Sequence, residues 1–131
     1  MMGDQGRRGR VLVIDDNPLN LKLFTALLEA RRYDVSQAAA GYSGLDLARE
    51  QQPDLIILDL QLPDISGLEV ALALKADHHT RDIPVIALTA FMGDKEPDAR
   101  AAGCDGFMTK PVSSSEFLTT VEAFLQRIRM S

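Results

Sequence analysis

A chain of 131 residues with 46% hydrophobic and 25% charged side chains has the balance of one globular domain, large enough to bury its core without disulfide or metal staples. Its net charge of -5 argues against nucleic acid as the main partner, and the single Cys104 excludes an internal disulfide. No apolar run has the length of a membrane span or the pattern of a secretory leader, so a reducing cytoplasm is the expected location.

Residues 1–9 are expected to form a flexible tail ahead of a single domain over 10–129, with Arg7, Arg8 and Arg10 as a solvated extension. The first strand is expected over 10–15, where Val11-Leu-Val-Ile14 runs into Asp15-Asp16. Asn17-Pro18 then opens a helix, a capping side chain followed by proline at the first helical position, with Leu23, Phe24, Leu27 and Leu28 as its apolar stripe. The second strand, over 33–38, alternates in the manner of a sheet edge and leads to a helix near 42–51. The third strand, over 54–59, is apolar from Leu55 until it ends in Asp59, and the loop Leu-Gln-Leu-Pro-Asp-Ile-Ser-Gly leads to a helix near 66–77.

A fourth apolar strand, over 83–89, ends in Thr89. The following helix is expected to be short, starting at Asp94 with Pro97 in its first turn and ending at Gly103. Cys104, in Gly-Cys-Asp-Gly, reads as a small buried residue before the last strand, over 105–109, which carries Phe107 and runs into Lys110-Pro111. Sequence leaves the isomer of that peptide open. The capping box Ser113-x-x-Glu116 opens the last helix, with Phe117, Leu118, Val121, Phe124, Leu125 and Ile128 at helical spacing.

Five strands alternating with five helices predict an α/β fold, a (βα)5 doubly wound, flavodoxin-like parallel sheet of order 2-1-3-4-5. Its ligand crevice lies outside the carboxyl ends of strands one and three, where the winding reverses. Asp15, Asp16 and Asp59 fall at that crevice, with Thr89 and Lys110 on the same rim.

Each of these residues also has a bland role. The acidic pair could merely cap a helix, Lys110 could be a surface lysine, and Thr89 and Phe107 could be ordinary strand residues. Together they point elsewhere, because three converging carboxylates repel unless a divalent cation holds them ionised. Magnesium suits an all-oxygen site, with Asp16, Asp59 and the Gln61 carbonyl expected as direct ligands and Asp15 acting through water. Asp59, expected to lie deepest, reads as a nucleophile that forms an acyl phosphate, with Lys110 as a point charge on the phosphoryl oxygens. Thr89 would bond the phosphoryl group and move inward, and Phe107, placed beside it, would follow. His78 and His79 show no further ligand at metal spacing.

The motifs Val-Ile-Asp-Asp-Asn, Leu-Ile-Ile-Leu-Asp-Leu-Gln-Leu-Pro-Asp-Ile-Ser-Gly-Leu, Ile-Ala-Leu-Thr-Ala and Thr-Lys-Pro, with Phe107, occur in the order seen in a known family. From about Val11 to Ile128 the chain resembles the receiver domain of bacterial two-component response regulators, of the CheY-like fold. The resemblance implies that Asp59 takes a phosphoryl group from phosphohistidine on a sensor histidine kinase or a histidine phosphotransfer protein. It implies Mg2+ on the acidic cluster, with Mn2+ as the alternative metal, and contacts from Thr89 and Lys110 to the phosphoryl group. It also implies a switch, in which the aromatic remodels the surface formed by the fourth helix, fifth strand and fifth helix for a downstream protein. Phe107 stands where tyrosine is common, so its state would be read through packing.

Asp-Asp-Asn-Pro-Leu-Asn-Leu-Lys-Leu-Phe and Gln-Leu-Pro-Asp-Ile-Ser-Gly-Leu-Glu-Val are similar to single-domain, DivK-type regulators of cell-cycle kinases. With no output domain expected after the last helix, the signal would leave by protein binding, from a monomer or weak dimer, without nucleic acid or membrane insertion. Catalysis would be confined to the protein's own phosphorylation and dephosphorylation. The alternatives are a receiver excised from a hybrid histidine kinase, a scaffold that has lost phosphorylation, and a magnesium-dependent phosphatase of the haloacid-dehalogenase type. The phosphatase needs a second acid two residues after its nucleophile, where this chain has Gln61.

Overall fold

Five short aliphatic runs form one parallel sheet in the order β2-β1-β3-β4-β5: β1 (Gly9–Ile14), β2 (Tyr33–Ala38), β3 (Leu55–Asp59), β4 (Val85–Thr89) and β5 (Gly106–Thr109). Helices α1 (Pro18–Ala30), α2 (Gly41–Gln51), α3 (Gly67–Ala76), α4 (Glu96–Ala101) and α5 (Ser114–Met130) follow the strands in turn. The computed structural model describes residues 8–90 and 96–130, with side chains as far as Arg127.

Alternation along each strand sorts its side chains into two cores. Leu12, Ile14, Ile56, Leu58, Val85 and Ala87 face α2, α3 and α4 through Leu45, Ala48, Val70, Ala71, Leu74 and Ala99. Val11, Val13, Leu55, Ile57, Ile86 and Leu88 face α1 and α5 through Phe24, Leu28, Phe117, Val121 and Leu125. The Phe24 and Phe117 rings stack at 4.4 Å between centroids and tie α1 to α5. Burial on both sides explains why the central strands are apolar throughout, each fully buried aliphatic side chain contributing about 1.5–3 kcal/mol.

Several boundaries differ from expectation. Arg8 and Gly9 are ordered with the domain, since β1 begins at Gly9 and the Arg8 amide donates to the Arg32 carbonyl at 3.0 Å. The Arg8 guanidinium pairs with Glu122 at 2.6 Å and lies over the Tyr33 ring, so it is held rather than solvated. Residues 1–7 lie outside the described residues. On α1 the sheet-facing residues are Leu21, Phe24, Leu27 and Leu28, whereas Leu23 is 45% exposed because it lies about 100° around the helix from Phe24. β4 starts at Val85 rather than 83, since the Ile83 amide closes a turn on Thr80 and its carbonyl accepts from the Lys75 ammonium at 2.8 Å. The expected α4 start at Asp94 lies outside the described residues. α4 ends at Ala101, and Gly103 takes a left-handed conformation, φ +100°, after it. Cys104 is buried.

Two caps position the rim of the crevice. Asp64 accepts from the amides of Gly41 and Tyr42, supplying from the β3–α3 loop the cap that α2 lacks in its own sequence. Ser66 and Glu69 form a reciprocal capping box on α3.

Candidate functional site

Asp15 is the first residue beyond β1, and its amide still bonds the Ala38 carbonyl, which holds it in line with the strand. Its Oδ1 accepts the Asn17 amide at 2.9 Å and its Oδ2 accepts the Asn20 side-chain amide at 3.2 Å. Asn17 in turn caps α1 through the amides of Leu19 and Asn20, with Pro18 at the first helical position. The start of α1 is thereby fastened to the end of β1.

Asp59 closes β3. Its Oδ1 accepts the Gln61 amide at 2.9 Å, and its Oδ2 accepts the Lys110 ammonium at 2.8 Å. Gly67 backs this strand end, since a Cβ there would lie 2.4 Å from the Asp59 carbonyl oxygen. Lys110 is placed by its own amide, which bonds the Thr89 carbonyl at 2.7 Å, and the Lys110–Pro111 peptide is cis. Its ammonium also lies 3.5 Å from Asp15 Oδ2.

Carboxylate oxygens of Asp15, Asp16 and Asp59 all lie within 4.8 Å of one another. A cleft of about 290 Å3 opens over them, lined by Asp16, Asn17, Asp59, Gln61, Leu62, Pro63 and Lys110. Burial pushes the Asp15 carboxyl above its ordinary range against the opposing Asn17 hydrogen bond, and the charge of Asp59 adds to the rise. Burial draws the Lys110 ammonium down, but its hydrogen bond to Asp59 and the charges of Asp59 and Asp15 outweigh it and hold the group above its ordinary value. Among the described residues, one ammonium therefore faces three carboxylates. At about 4 Å a like-charge pair costs about 4 kcal/mol at an effective dielectric near 20, so the cluster is under-neutralised. An oxygen-only donor set with excess negative charge and an open side fits a hard divalent cation.

The expected convergence of Asp15, Asp16, Asp59, Gln61 and Lys110 is present, with two corrections. Asp15, not Asp59, is the deepest carboxylate, at 0% exposed against 3%, because α1 covers it while Asp59 borders the cleft. Phe107 is not directly beside Thr89: the parallel register sets it against Ala87, and Thr89 against Thr109. Thr89 is fully buried, and Phe107, half-buried, packs on the same face of the sheet as Ala87, the α3 and α4 face.

Sequence reasoning passed over Asn20 and Gly67. The signal for Asn20 was a polar residue between Leu19 and Leu21 in the first turn of the helix. It also missed that Asp77 joins His78 and His79 in a second group of potential ligands within 4.8 Å. The Asp77 carboxylate is committed there, accepting from the Arg49 guanidinium and the His79 amide, both at 2.9 Å.

Residues 11–122 match the model of the response regulator receiver domain. The chain is 47% identical over 116 residues to the polar-differentiation response regulator DivK of Brucella ovis, covering 88% of this chain and 94% of that protein. The DivK of Brucella anthropi matches to the same extent. Among solved structures, the receiver domain of a Pseudomonas aeruginosa sensor histidine kinase, which holds a magnesium ion in its active-site cleft, superposes with a TM-score of 0.84 at 27% identity, over 90% of this chain and 98% of that one. The chemotaxis response regulator CheY4 of Vibrio cholerae gives a TM-score of 0.84 at 27% identity, over 88% and 97%.

Proposed function

Since this chain belongs to the response regulator receiver domain family, we propose that it signals by accepting a phosphoryl group on Asp59 from phosphohistidine of a sensor kinase or a histidine phosphotransfer protein. The observation that carries the reading is the pairing of Asp59 with Lys110 inside the acidic cleft. In the transfer, an Asp59 oxygen forms the new O–P bond as the N–P bond breaks, and the departing imidazole keeps the electron pair and takes up a proton.

Asp16, Asp59 and the Gln61 carbonyl would hold Mg2+, with Asp15 behind them through water and Mn2+ as the alternative ion. Bound magnesium supplies positive charge that keeps the carboxylates ionised and offsets charge on the transferring group. Lys110 exchanges its Asp59 oxygen for a phosphoryl oxygen, and the Thr89 hydroxyl donates to another. Phe107 then follows Thr89 inward, altering the face of α4, β5 and α5 that a downstream protein reads. Leu19, 76% exposed two residues beyond the cleft-lining Asn17, gives a protein donor an apolar contact.

Hydrolysis of the acyl phosphate on the same side chains returns the protein to its resting state. The likeness to DivK supports a stand-alone regulator, and we infer a cytoplasmic protein, monomeric or weakly dimeric, that acts on cell-cycle kinases. None of the described helices is long and apolar enough to cross a membrane. The phosphatase alternative is disfavoured because Gln61 stands where the second acid is needed.

The test is intact-protein mass spectrometry after incubation with acetyl phosphate and Mg2+. The expected result is a metal-dependent gain of one phosphoryl group in wild type and none in Asp59→Asn. Labelling of Asp59→Asn at the wild-type rate would overturn the assignment.

A further inference from the structure

We infer that Asn20 is a positioning residue for the metal site, its side-chain amide fixing the Asp15 carboxylate in the orientation that magnesium binding requires. The inference rests on the phosphoacceptor reading above. Asp15 is fully buried, and a buried carboxylate keeps its orientation only where donors hold both oxygens. Oδ1 is held by the Asn17 backbone amide, which no side-chain substitution removes. Oδ2 accepts the Asn20 amide at 3.2 Å and lies 3.5 Å from the Lys110 ammonium. Lys110 lies closer to Asp59, at 2.8 Å, so Asn20 is the donor committed to Asp15.

The chemistry of the donor matters. A carboxylate only accepts hydrogen bonds, so Asn20 must present its NH2 and is locked in that sense. The amide is neutral. It orients Asp15 without cancelling its charge, whereas a cation in the same place would compete with the metal. Asn20 can reach back because its own backbone amide bonds Asn17 Oδ1, which sets the first turn of α1 over the end of β1. Partners of this kind, behind the ligands themselves, typically change metal affinity 10–100-fold.

Isothermal titration with Mg2+ alone tests this on wild type, Asn20→Leu, which keeps the shape and loses the donor, and Asn20→Gln, which keeps a donor on a longer arm. Asn20→Leu should bind Mg2+ about tenfold more weakly, with Asn20→Gln recovering a substantial part of the loss. Labelling by acetyl phosphate at saturating Mg2+ should return to within about twofold of wild type in Asn20→Leu, because Asp59 and Lys110 are untouched. A merely structural Asn20 would lower the unfolding temperature without Mg2+ and leave Mg2+ affinity unchanged, and that outcome overturns the inference. So does a labelling defect that persists at saturating Mg2+, or a Gln variant no better than Leu. Wild type that binds no Mg2+ would sink the phosphoacceptor reading, and this inference with it.

Discussion

The Lys110 ammonium lies 2.8 Å from Asp59 Oδ2, so the proposed nucleophile and the cation that would contact the incoming phosphoryl group are already paired across β4, from β3 and β5. Under the proposed function this ion pair is a resting contact that phosphorylation would exchange, and that exchange would link chemistry on β3 to the position of β5.

Lys110→Ala removes the one ammonium that, among the described residues, faces the acidic cluster. Mg2+ should bind at least as tightly as in wild type, since a competing cation is gone, while the metal-free protein loses about 1–3 kcal/mol from unpaired buried charge. Titration calorimetry and denaturant unfolding read these two effects. Phosphorylation-induced amide shifts around Phe107 should largely vanish in NMR spectra of the variant. Shifts of wild-type size would remove Lys110 from the coupling.

The Asp15 carboxyl ordinarily titrates at 3.8 and is raised in the fold, chiefly by burial. The folded state therefore binds more protons than the unfolded state between those two values, and the apo protein loses stability as pH rises through that window. At pH 7, Asp15→Asn should raise the metal-free unfolding temperature by about 3 °C and abolish most of the stabilisation by Mg2+. Thermal scans with and without Mg2+ decide. A lower metal-free midpoint in the variant would contradict the sign.

Glu122 shows the opposite linkage. Burial pushes its carboxyl up, but the hydrogen bond and charge of Arg8, the charge of Arg31 and the Tyr33 hydroxyl outweigh this and hold it below 4.5. Its contribution is fully present above 4.5 and is lost as pH falls through the depressed value. Glu122→Gln should lower the unfolding temperature by about 2–4 °C at pH 7, with the gap closing in acid. Scans of both proteins across pH 2–7 test it, and a pH-independent gap would assign the loss to packing.

Gly67→Ala places a methyl 2.4 Å from the Asp59 carbonyl oxygen and 2.5 Å from the Leu60 Cα, both backbone atoms that cannot swing aside. The expected cost is about 2–3 kcal/mol, with slower phosphoryl acceptance because the end of β3 must shift. Denaturant unfolding and labelling kinetics measure the two losses. Wild-type stability would mean that the loop yields freely.

Burial, with the charge of Asp105, pushes the Cys104 thiol up to about 11. At pH 8 the native protein should react with a disulfide exchange reagent far more slowly than a free thiol, and at once in denaturant. Rapid native labelling would place Cys104 at the surface.

The strand order and the residues around the cleft were legible because they obey local rules. Short continuous apolar runs that end in Asp15, Asp59 and Thr89 mark strand ends, and parallel strands joined by helices put those ends on one edge. The exposure of Leu23 was not legible, because Leu21, Leu23, Phe24, Leu27 and Leu28 span more of the helix surface than the sheet covers. The partner of Phe107 was not legible either, since the register of β4 against β5 depends on loop lengths and on the Asp105 amide bonding the Val85 carbonyl at 2.8 Å.

The amino-acid sequence by itself determined the class of fold, the edge on which the polar residues gather and the chemical character of the cleft, because periodicity and residue type act within a few neighbours. Tertiary structure alone decided which carboxylate is deepest, that Asn20 faces Asp15, that Asp64 caps a helix 23 residues away, and that Arg8 and Arg31 clamp Glu122. Those relationships join side chains whose separation along the chain says nothing about their distance in space. They follow from how helices lie across the sheet, which is set by the whole core at once.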